Sequence, residues 1–241
     1  MLDLTAISWQ ALPRCAPFPE AGLDLFNFAK AVEQGIYDVM MWILFYPLTL
    51  LRMIVRPAST LRYVFAQSRG DPDVAFSEAM RPALMIFISI AIGTLLAPFT
   101  DDQRALLQST PIGSLVTSSW FFLIFYRMVV FSFFPLCGAL LLDLLTPGSI
   151  SRETLRTPFY LQCYICAPFA LIASPTLVNI QHNSMPVYAA FAAVTLWFLA
   201  VQYIFFRDYA RQTVVRSLLL APAVLLLGLI GGIVLGLVAA S

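Results

Sequence analysis

The chain has 241 residues, of which 60% are hydrophobic and only 11% are charged, and its net charge is +1. Soluble domains carry about 25% charged residues, so this composition excludes an ordinary water-soluble domain and predicts a protein embedded in the lipid bilayer. The near-zero charge and the lack of a basic stripe exclude nucleic-acid binding.

The N-terminal region, residues 1–35, is the only stretch expected to extend into water. It is too short to form an independent core, and we expect it to be a cytoplasmic segment. It lacks the basic start and following apolar run of a signal peptide. Targeting to the membrane is therefore expected to depend on an internal span.

An interfacial region, residues 36–79, is predicted to follow. Its apolar part, 39–55, is interrupted by a proline, and Thr49, Arg52 and Arg56 recur there at helical spacing. One polar stripe on an apolar helix is typical of an amphipathic helix that lies in the interface plane with its arginines towards the headgroups. A sixth membrane crossing by this segment is the alternative.

Five later runs are apolar and long enough to cross a bilayer, which needs about 20 such residues. The predicted fold class is therefore all-α, a polytopic helical membrane protein with five transmembrane helices preceded by an in-plane amphipathic helix. The predicted spans, within residues 80–241, are about 80–98, 118–142, 157–178, 185–206 and 215–239.

The orientation follows from the distribution of arginine. Connections that hold several arginines alternate along the chain with connections that hold one or none. Because basic loops stay on the cytoplasmic side, the N-terminus is predicted to be inside and the C-terminus outside.

The third span begins with an abrupt change of character, in "SRETLRTPFYLQCYICAPFALIASP", residues 151–175. Ser151 is a predicted N-cap, and Glu153 suits the positive end of the helix dipole. Arg152 and Arg156 are predicted to form a cytoplasmic collar at the membrane surface.

This region resembles the loop and third span of Yip1-domain membrane proteins, particularly their bacterial branch. A glycine turn leads to a Thr-Leu-Arg helix start, and a tyrosine and two prolines follow in the span. Upstream, "FYPLTLLRMIVRP" is similar to the element that precedes the first span of that family, and "FFRDYARQTVVRSLLLAP" to its last connection. The residues that carry the central motif are Gly148, Thr154, Leu155, Arg156, Tyr164, Pro168 and Pro175.

The resemblance covers roughly residues 39–235 and implies, for the bacterial branch, an integral membrane protein. We expect a non-enzymatic protein of the bacterial inner membrane, without a cofactor, whose role is membrane organisation or service as a scaffold or subunit of a membrane protein complex. The implied partners are the lipid bilayer and other membrane proteins. The D-L-Y-G-P-type motif of eukaryotic members is missing, so a partnership with Rab-type GTPases is not implied.

Arg127 is an ionisable residue inside the second span, and such residues suggest function. One interpretation is that the guanidinium extends to the outer interface, since the apolar run is longer than a straight span requires. The other is that Arg127 lines a polar path in a transporter or channel component.

Catalytic and metal-binding chemistry find little support. Cys163 and Cys166 form a CxxC, but inside a predicted span they are interpreted as small packing residues. His182 is the only histidine, which excludes mechanisms that need two, and it falls in a short polar loop. We therefore predict no enzyme activity and no metal.

The last span contains Gly228, Gly232 and Gly236, which share one helix face. Glycines let two helix backbones approach closely in a bilayer. We predict a helix-contact face within the chain, with homodimerisation as the alternative, and a lipid-facing opposite side.

Overall fold

A computed structural model of the chain describes residues 20–70, 80–97, 99–146, 151–179 and 184–240. Within these ranges there are nine α-helices and no strand, so the predicted all-α class is confirmed. The helices are α1 (Glu20–Val55), α2 (Pro57–Ser68), α3 (Pro82–Leu96), α4 (Asp101–Gln108), α5 (Pro111–Ser118), α6 (Trp120–Leu145), α7 (Arg152–Val178), α8 (Met185–Asp208) and α9 (Val214–Ala240).

The chain divides into two compact units, residues 1–43 and residues 44–241. The described part of the first unit is the N-terminal portion of α1. Its apolar side chains are largely exposed, with Phe28 69%, Met40 66% and Ile43 71% accessible. Apolar exposure of this extent suits a helix surrounded by lipid or by another protein.

Five described helices are long and apolar enough to cross a membrane, as many as predicted, but one of them, Asn27–Val55, contains the segment that was predicted to lie in the interface plane. Four of them, α6 to α9, correspond to predicted spans, with bounds that differ by a few residues. The five helical stretches are Asn27–Val55, Trp120–Leu145, Arg152–Val178, Met185–Asp208 and Val214–Ala239.

The first predicted span, 80–98, is a shorter helix than expected. It forms α3, which has 15 residues and extends only about 22 Å at 1.5 Å per residue, against about 30 Å of hydrocarbon. Prolines limit it at both ends. Pro82 takes the first helical position, and Ala97, which precedes Pro98, leaves the helical conformation with φ −143° and ψ 81°.

The helix is not interrupted at Pro47, contrary to what the sequence suggested. α1 continues through Pro47 as one helix to Val55, and its apolar stretch of 29 residues is long enough to span. A proline removes one helical hydrogen bond, and membrane helices tolerate this because neighbouring groups satisfy the freed backbone atoms.

α7 is the centre of the second unit. All residues from 161 to 170 are buried, and α2, α3, α6 and α8 pack around them. Phe169 of α7 stacks near Phe198 of α8 and Phe134 of α6, with ring centroids 4.5 and 5.4 Å away. Burial on every side explains why this helix reads as an unbroken apolar run.

The charged start of α7 belongs to the same helix as its apolar part. The Thr154 amide donates to the Ser151 hydroxyl at 3.1 Å, and the Ser151 amide donates to the Thr154 hydroxyl at 3.0 Å. This reciprocal capping box confirms Ser151 as the N-cap. The helix therefore begins in the charged segment and continues into the apolar one without a break.

Two short helices, α4 and α5, lie in a connection that the sequence analysis left without structure. Thr110 caps α5 by accepting a hydrogen bond from the Gly113 amide at 3.1 Å. Its hydroxyl also donates to the Ala239 carbonyl at 2.6 Å. The connection is thereby attached to the end of α9.

Candidate functional site

The last turns of α1 are held by two different helices of the bundle. The hydroxyl groups of Tyr46 and Ser89 in α3 form a hydrogen bond of 3.0 Å. Ile54 follows Tyr46 by eight residues in α1, and its carbonyl accepts a hydrogen bond of 3.2 Å from the indole N–H of Trp197 in α8. The segment between these contacts is about 12 Å long at the helical rise.

Both of these helices pack on the same part of α7. A Cβ on Gly93 of α3 would lie 3.3 Å from the carbonyl oxygen of Ala170, and Ser89 is one turn earlier in α3. Trp197 adjoins Phe198, whose ring packs on Phe169. Residues 46–54 therefore contact both α3 and α8, and the in-plane orientation expected for this segment stays a prediction.

The chain then turns at Arg56, and α2 descends along α7 towards its N-terminus. Tyr63, midway along α2, shares a cavity with Tyr164. Just after the end of α2, Arg69 and Thr154 at the start of α7 line a separate cavity. We call residues 46–68, which form this bend, the elbow.

A cavity of about 280 Å³ lies inside the bend, and we call it the elbow cavity. Arg52 and Arg56 are exposed and make its mouth basic. Its floor consists of Thr49, Thr60 and Tyr164, which are buried. Among the described residues, no carboxylate lines it. The lining residues are Thr49, Arg52, Arg56, Ser59, Thr60, Tyr63 and Tyr164.

Hydroxyl groups hold the backbone of the elbow in place. The Thr60 hydroxyl lies within hydrogen-bond distance of the carbonyls of Arg52 and Arg56, at 3.2 and 3.1 Å, and the Ser59 hydroxyl donates to the Arg56 carbonyl at 3.0 Å. At the floor, the Tyr164 hydroxyl donates to the Met80 carbonyl. These bonds position the two arginines without occupying their guanidinium groups.

A second cavity, of about 740 Å³, lies where the end of α2 meets the end of α8, and we call it the basic cavity. Four arginines from two distant parts of the chain line it together with one carboxylate. The Arg69 guanidinium lies over the Phe65 ring, 4.1 Å from its centroid, and Arg207 donates to the Gln212 carbonyl at 2.9 Å. The lining residues are Arg62, Phe65, Arg69, Arg207, Asp208, Tyr209 and Arg211.

Tyr209 follows the last residue of α8 and lines the basic cavity, so its pKa reflects the burial and the charges there. The pKa of Tyr209 is raised to about 12, first by burial and then by the adjacent Asp208 carboxylate, while Arg62 acts in the opposite direction. The phenol hydroxyl is buried and has no hydrogen-bond partner among the described residues. The phenol therefore stays neutral throughout the physiological range.

Arg127 is buried between helices, with only 5% of its surface accessible. One guanidinium nitrogen donates to the Ser174 hydroxyl at 3.0 Å, and the group lies over the Phe99 ring, 5.1 Å from the centroid. The other terminal nitrogen has no hydrogen-bond partner within the described ranges. The guanidinium is thus enclosed by protein instead of extending through lipid to the interface, and it lies outside the elbow and basic cavities.

The residues of the family-like motif separate in space. Tyr164 joins Arg52 and Arg56 at the elbow cavity. Arg156 lies over the Tyr160 ring at 5.6 Å on another part of α7. Pro168 is buried in the middle of α7. Of the motif residues that the structure describes, Tyr164 alone lines the elbow cavity, and Gly148 lies outside the described residues.

The glycine row of α9 faces α6. A side chain at Gly228 would collide with the Phe134 ring, one at Gly232 would lie 3.2 Å from a Val130 methyl group, and one at Gly236 would meet the Tyr126 hydroxyl at 3.8 Å. On the face predicted to meet lipid, Ile233 and Leu237 are 61% and 66% exposed. The row therefore makes its contacts within this chain.

Gly231, which the sequence analysis did not single out, packs as closely as the row itself. A side chain there would lie 2.6 Å from the Phe133 ring. Its position one residue before Gly232 widens the contact face, which four-residue spacing alone does not reveal.

The remaining candidates lie apart from both cavities. Cys163 and Cys166 are free and buried in α7, and no group of three metal-ligating side chains occurs in the described part of the chain. His182 and Cys15 lie outside the described residues.

Sequence reasoning found Thr49, Arg52 and Arg56 but missed Ser59, Thr60 and Tyr63. All six lie on the elbow cavity. The same spacing of three to four residues continues from the stripe into α2, and following it past Pro57 could have found the other three.

The chain matches no protein-family model, no curated protein and no solved structure. Its class rests on the fold alone: nearly all described residues are helical, and five helices are apolar and long enough to span a bilayer. It is an all-α polytopic helical membrane protein.

Proposed function

We propose that this chain is a non-enzymatic integral membrane protein of the Yip1-like type, which organises the membrane or serves as a scaffold or subunit of a membrane protein complex. We assign it to the bacterial inner membrane with its N-terminus in the cytoplasm. The observation that carries this proposal is the convergence of four arginines from α2 and from the region around the end of α8 on one basic cavity.

Converging arginines suit the surface of an anionic leaflet. A basic residue near such a surface contributes about 1 kcal/mol of attraction, and arginine pairs with phosphate through a planar fork of donors. The end of α6 and the start of α7, where Arg69 shares a cavity with Asp143 and Thr154, lie at the same end of the bundle. This end is therefore suited to face the surface of an anionic leaflet and to contact acidic partner proteins.

Purification from the native membrane in mild detergent tests the proposal. We expect a partner membrane protein in a fixed ratio to this chain, identified by mass spectrometry. Replacement of the four arginines of the basic cavity by glutamine should reduce the amount of partner. The control, Arg104→Gln with Arg216→Gln, removes exposed arginines from outside both cavities and should leave the partner bound. Recovery of the wild-type chain without any stoichiometric partner would contradict a scaffold role.

A transporter or channel component is the second candidate, and the burial of Arg127 is the observation that favours it. A cation enclosed among helices, with an N–H group that no described residue accepts from, is the kind of residue that lines anion pathways. Flux measurements in proteoliposomes, with wild type and Arg127→Met side by side, separate the two functions. A transporter loses flux in the variant, whereas a scaffold shows no flux in either protein and keeps its partner in both.

A further inference from the structure

We propose that the elbow cavity binds the phosphate group of an anionic phospholipid, with the headgroup inside the bend and the acyl chains against α1. This goes beyond the scaffold proposal because it assigns one ligand to one cavity, and it stands whether or not a partner protein is found.

The charge of the cavity selects an anion. Arg52 and Arg56 contribute two positive charges, and the other lining groups are neutral hydroxyls. Neither guanidinium forms a hydrogen bond or ion pair with another group in the part of the chain that the structure describes. Within the described ranges, therefore, no other group occupies the donors of either guanidinium.

The N-terminus of α2 adds positive electrostatic potential to the elbow cavity. Arg56 occupies the N-cap position, no side chain caps the helix, and Pro57 follows it. The first amide groups of a helix lack intrahelical acceptors and carry the positive end of its dipole. A phosphate in the bend would meet this helix end and two arginines together.

The cavity is a prepared site, because its walls are held by hydrogen bonds. The Thr60 and Ser59 hydroxyls engage the Arg52 and Arg56 carbonyls, and Tyr164 of the floor is bonded to the Met80 carbonyl. Rigid placement lowers the entropic cost of binding. At about 280 Å³, the space is slightly smaller than the roughly 300–1,000 Å³ of drug-sized pockets, and it suits a headgroup phosphate with water.

The surroundings of the mouth favour a lipid over a soluble phosphate. Leu48, Leu51 and Val55 flank the arginines on α1 and are 40%, 58% and 65% exposed. A ligand with an anionic head and apolar chains satisfies the arginines and these side chains at once. Inorganic phosphate would leave the apolar ones uncovered.

Native mass spectrometry of the full chain in mild detergent tests this site, with phosphatidylglycerol and phosphatidylcholine as probes. We expect one phosphatidylglycerol per chain, preferred about tenfold or more over phosphatidylcholine. Arg52→Gln with Arg56→Gln should weaken phosphatidylglycerol binding about tenfold or more, the effect of losing a charge-assisted hydrogen bond. The control pair Arg104→Gln and Arg216→Gln should bind as the wild type does. Equal loss in both pairs would show general attraction and overturn the proposal.

Two further measurements keep the site testable if the glutamine pair fails to fold. Arg52→Lys with Arg56→Lys keeps the charge but loses the guanidinium fork, so binding should still weaken several-fold, and an unchanged affinity would overturn a built site. Inorganic phosphate, added in excess over the lipid, should leave phosphatidylglycerol bound. Displacement by inorganic phosphate would identify a soluble anion as the ligand and overturn the lipid assignment.

Discussion

Gln162 of α7 and Gln202 of α8 hydrogen-bond to each other twice in the buried centre of the bundle. Each side-chain amide nitrogen donates to the other's oxygen, at 2.9 and 2.7 Å, and neither residue has accessible surface. Gly138 of α6 faces Gln162 so closely that a side chain there would collide with its amide group. Three helices therefore depend on one polar pair.

Loss of one partner should cost more than loss of both. Gln202→Leu leaves the Gln162 amide buried and unsatisfied, and we expect a decrease of about 1–2 kcal/mol in unfolding free energy. The double variant, with leucine at both positions, should recover part of this loss. A double-mutant cycle from denaturation in detergent measures it, and Gln108→Leu on the exposed side of α4 is the control. Additive effects would contradict the coupling.

The glycine row predicts a graded response to alanine. Gly228→Ala forces a methyl group into the Phe134 ring, and Gly231→Ala forces one against Phe133, so both should lower the melting temperature, at a cost of about 1–3 kcal/mol. Gly236→Ala is the matched control, because its methyl group would lie 3.8 Å from the Tyr126 hydroxyl, an ordinary contact. Equal melting temperatures for all three variants would show that α9 does not pack on α6 in this way.

Arg127→Met should leave the melting temperature unchanged or raise it. A buried charge costs free energy unless it is well paired, and an apolar side chain of similar volume is often neutral or stabilising in its place. Ser174→Ala should instead lower the stability by about 1–3 kcal/mol, because it leaves a second guanidinium N–H group unsatisfied. Thermal denaturation of both variants in detergent provides the comparison. A strong loss of stability in Arg127→Met would mean that the charge is well compensated.

Tyr209 predicts a loss of stability at high pH. Its pKa is raised from 10.0 to about 12 in the folded chain. Below pH about 10 both states keep the proton, and between about 10 and 12 only the unfolded state releases it, so stability falls as the pH rises through this window. Tyr209→Phe removes this contribution. Unfolding curves from pH 8 to 12 should therefore decline more steeply for the wild type, and parallel curves would contradict the raised pKa.

Thiol labelling tests the orientation predicted from the arginine distribution. In a background without native cysteines, Met185→Cys at the exposed start of α8 should react with a reagent confined to the outside, and Arg152→Cys at the start of α7 should not. Reaction at position 152 would reverse the orientation.

A spin label at position 52 tests whether the end of α1 lies in the interface plane. The label should lie at headgroup depth on the inner side. A label at the outer face would show that α1 crosses the membrane.

The sequence was sufficient for the long helices but not for the first third of the described chain. α6 to α9 are each apolar for more than 20 residues, and that signal is local. The length of α3 depended on Pro82 and Pro98, and the continuity of α1 depended on how neighbouring groups accommodate Pro47. Neither effect can be read from a hydropathy pattern.

The candidate sites, like the fold, were predicted only in part from the sequence. The stripe of Thr49, Arg52 and Arg56 was visible as a helical repeat, but its partner Tyr164 lies more than a hundred residues away, and only the fold brings them together. Arg127 was recognised as unusual, while its burial depended on Ser174 and Phe99, which no spacing connects to it.

The elbow has a consequence for the order in which the protein is assembled. Its residues leave the ribosome early, yet the groups that hold it arrive late: the Trp197 N–H that bonds the Ile54 carbonyl is 143 residues further along the chain. The Tyr46–Ser89 bond can form as soon as α3 has been made, whereas the Ile54–Trp197 bond can form only after α8 has been made. The end of α1 is thus docked in two stages, and the second depends on one of the last helices of the chain.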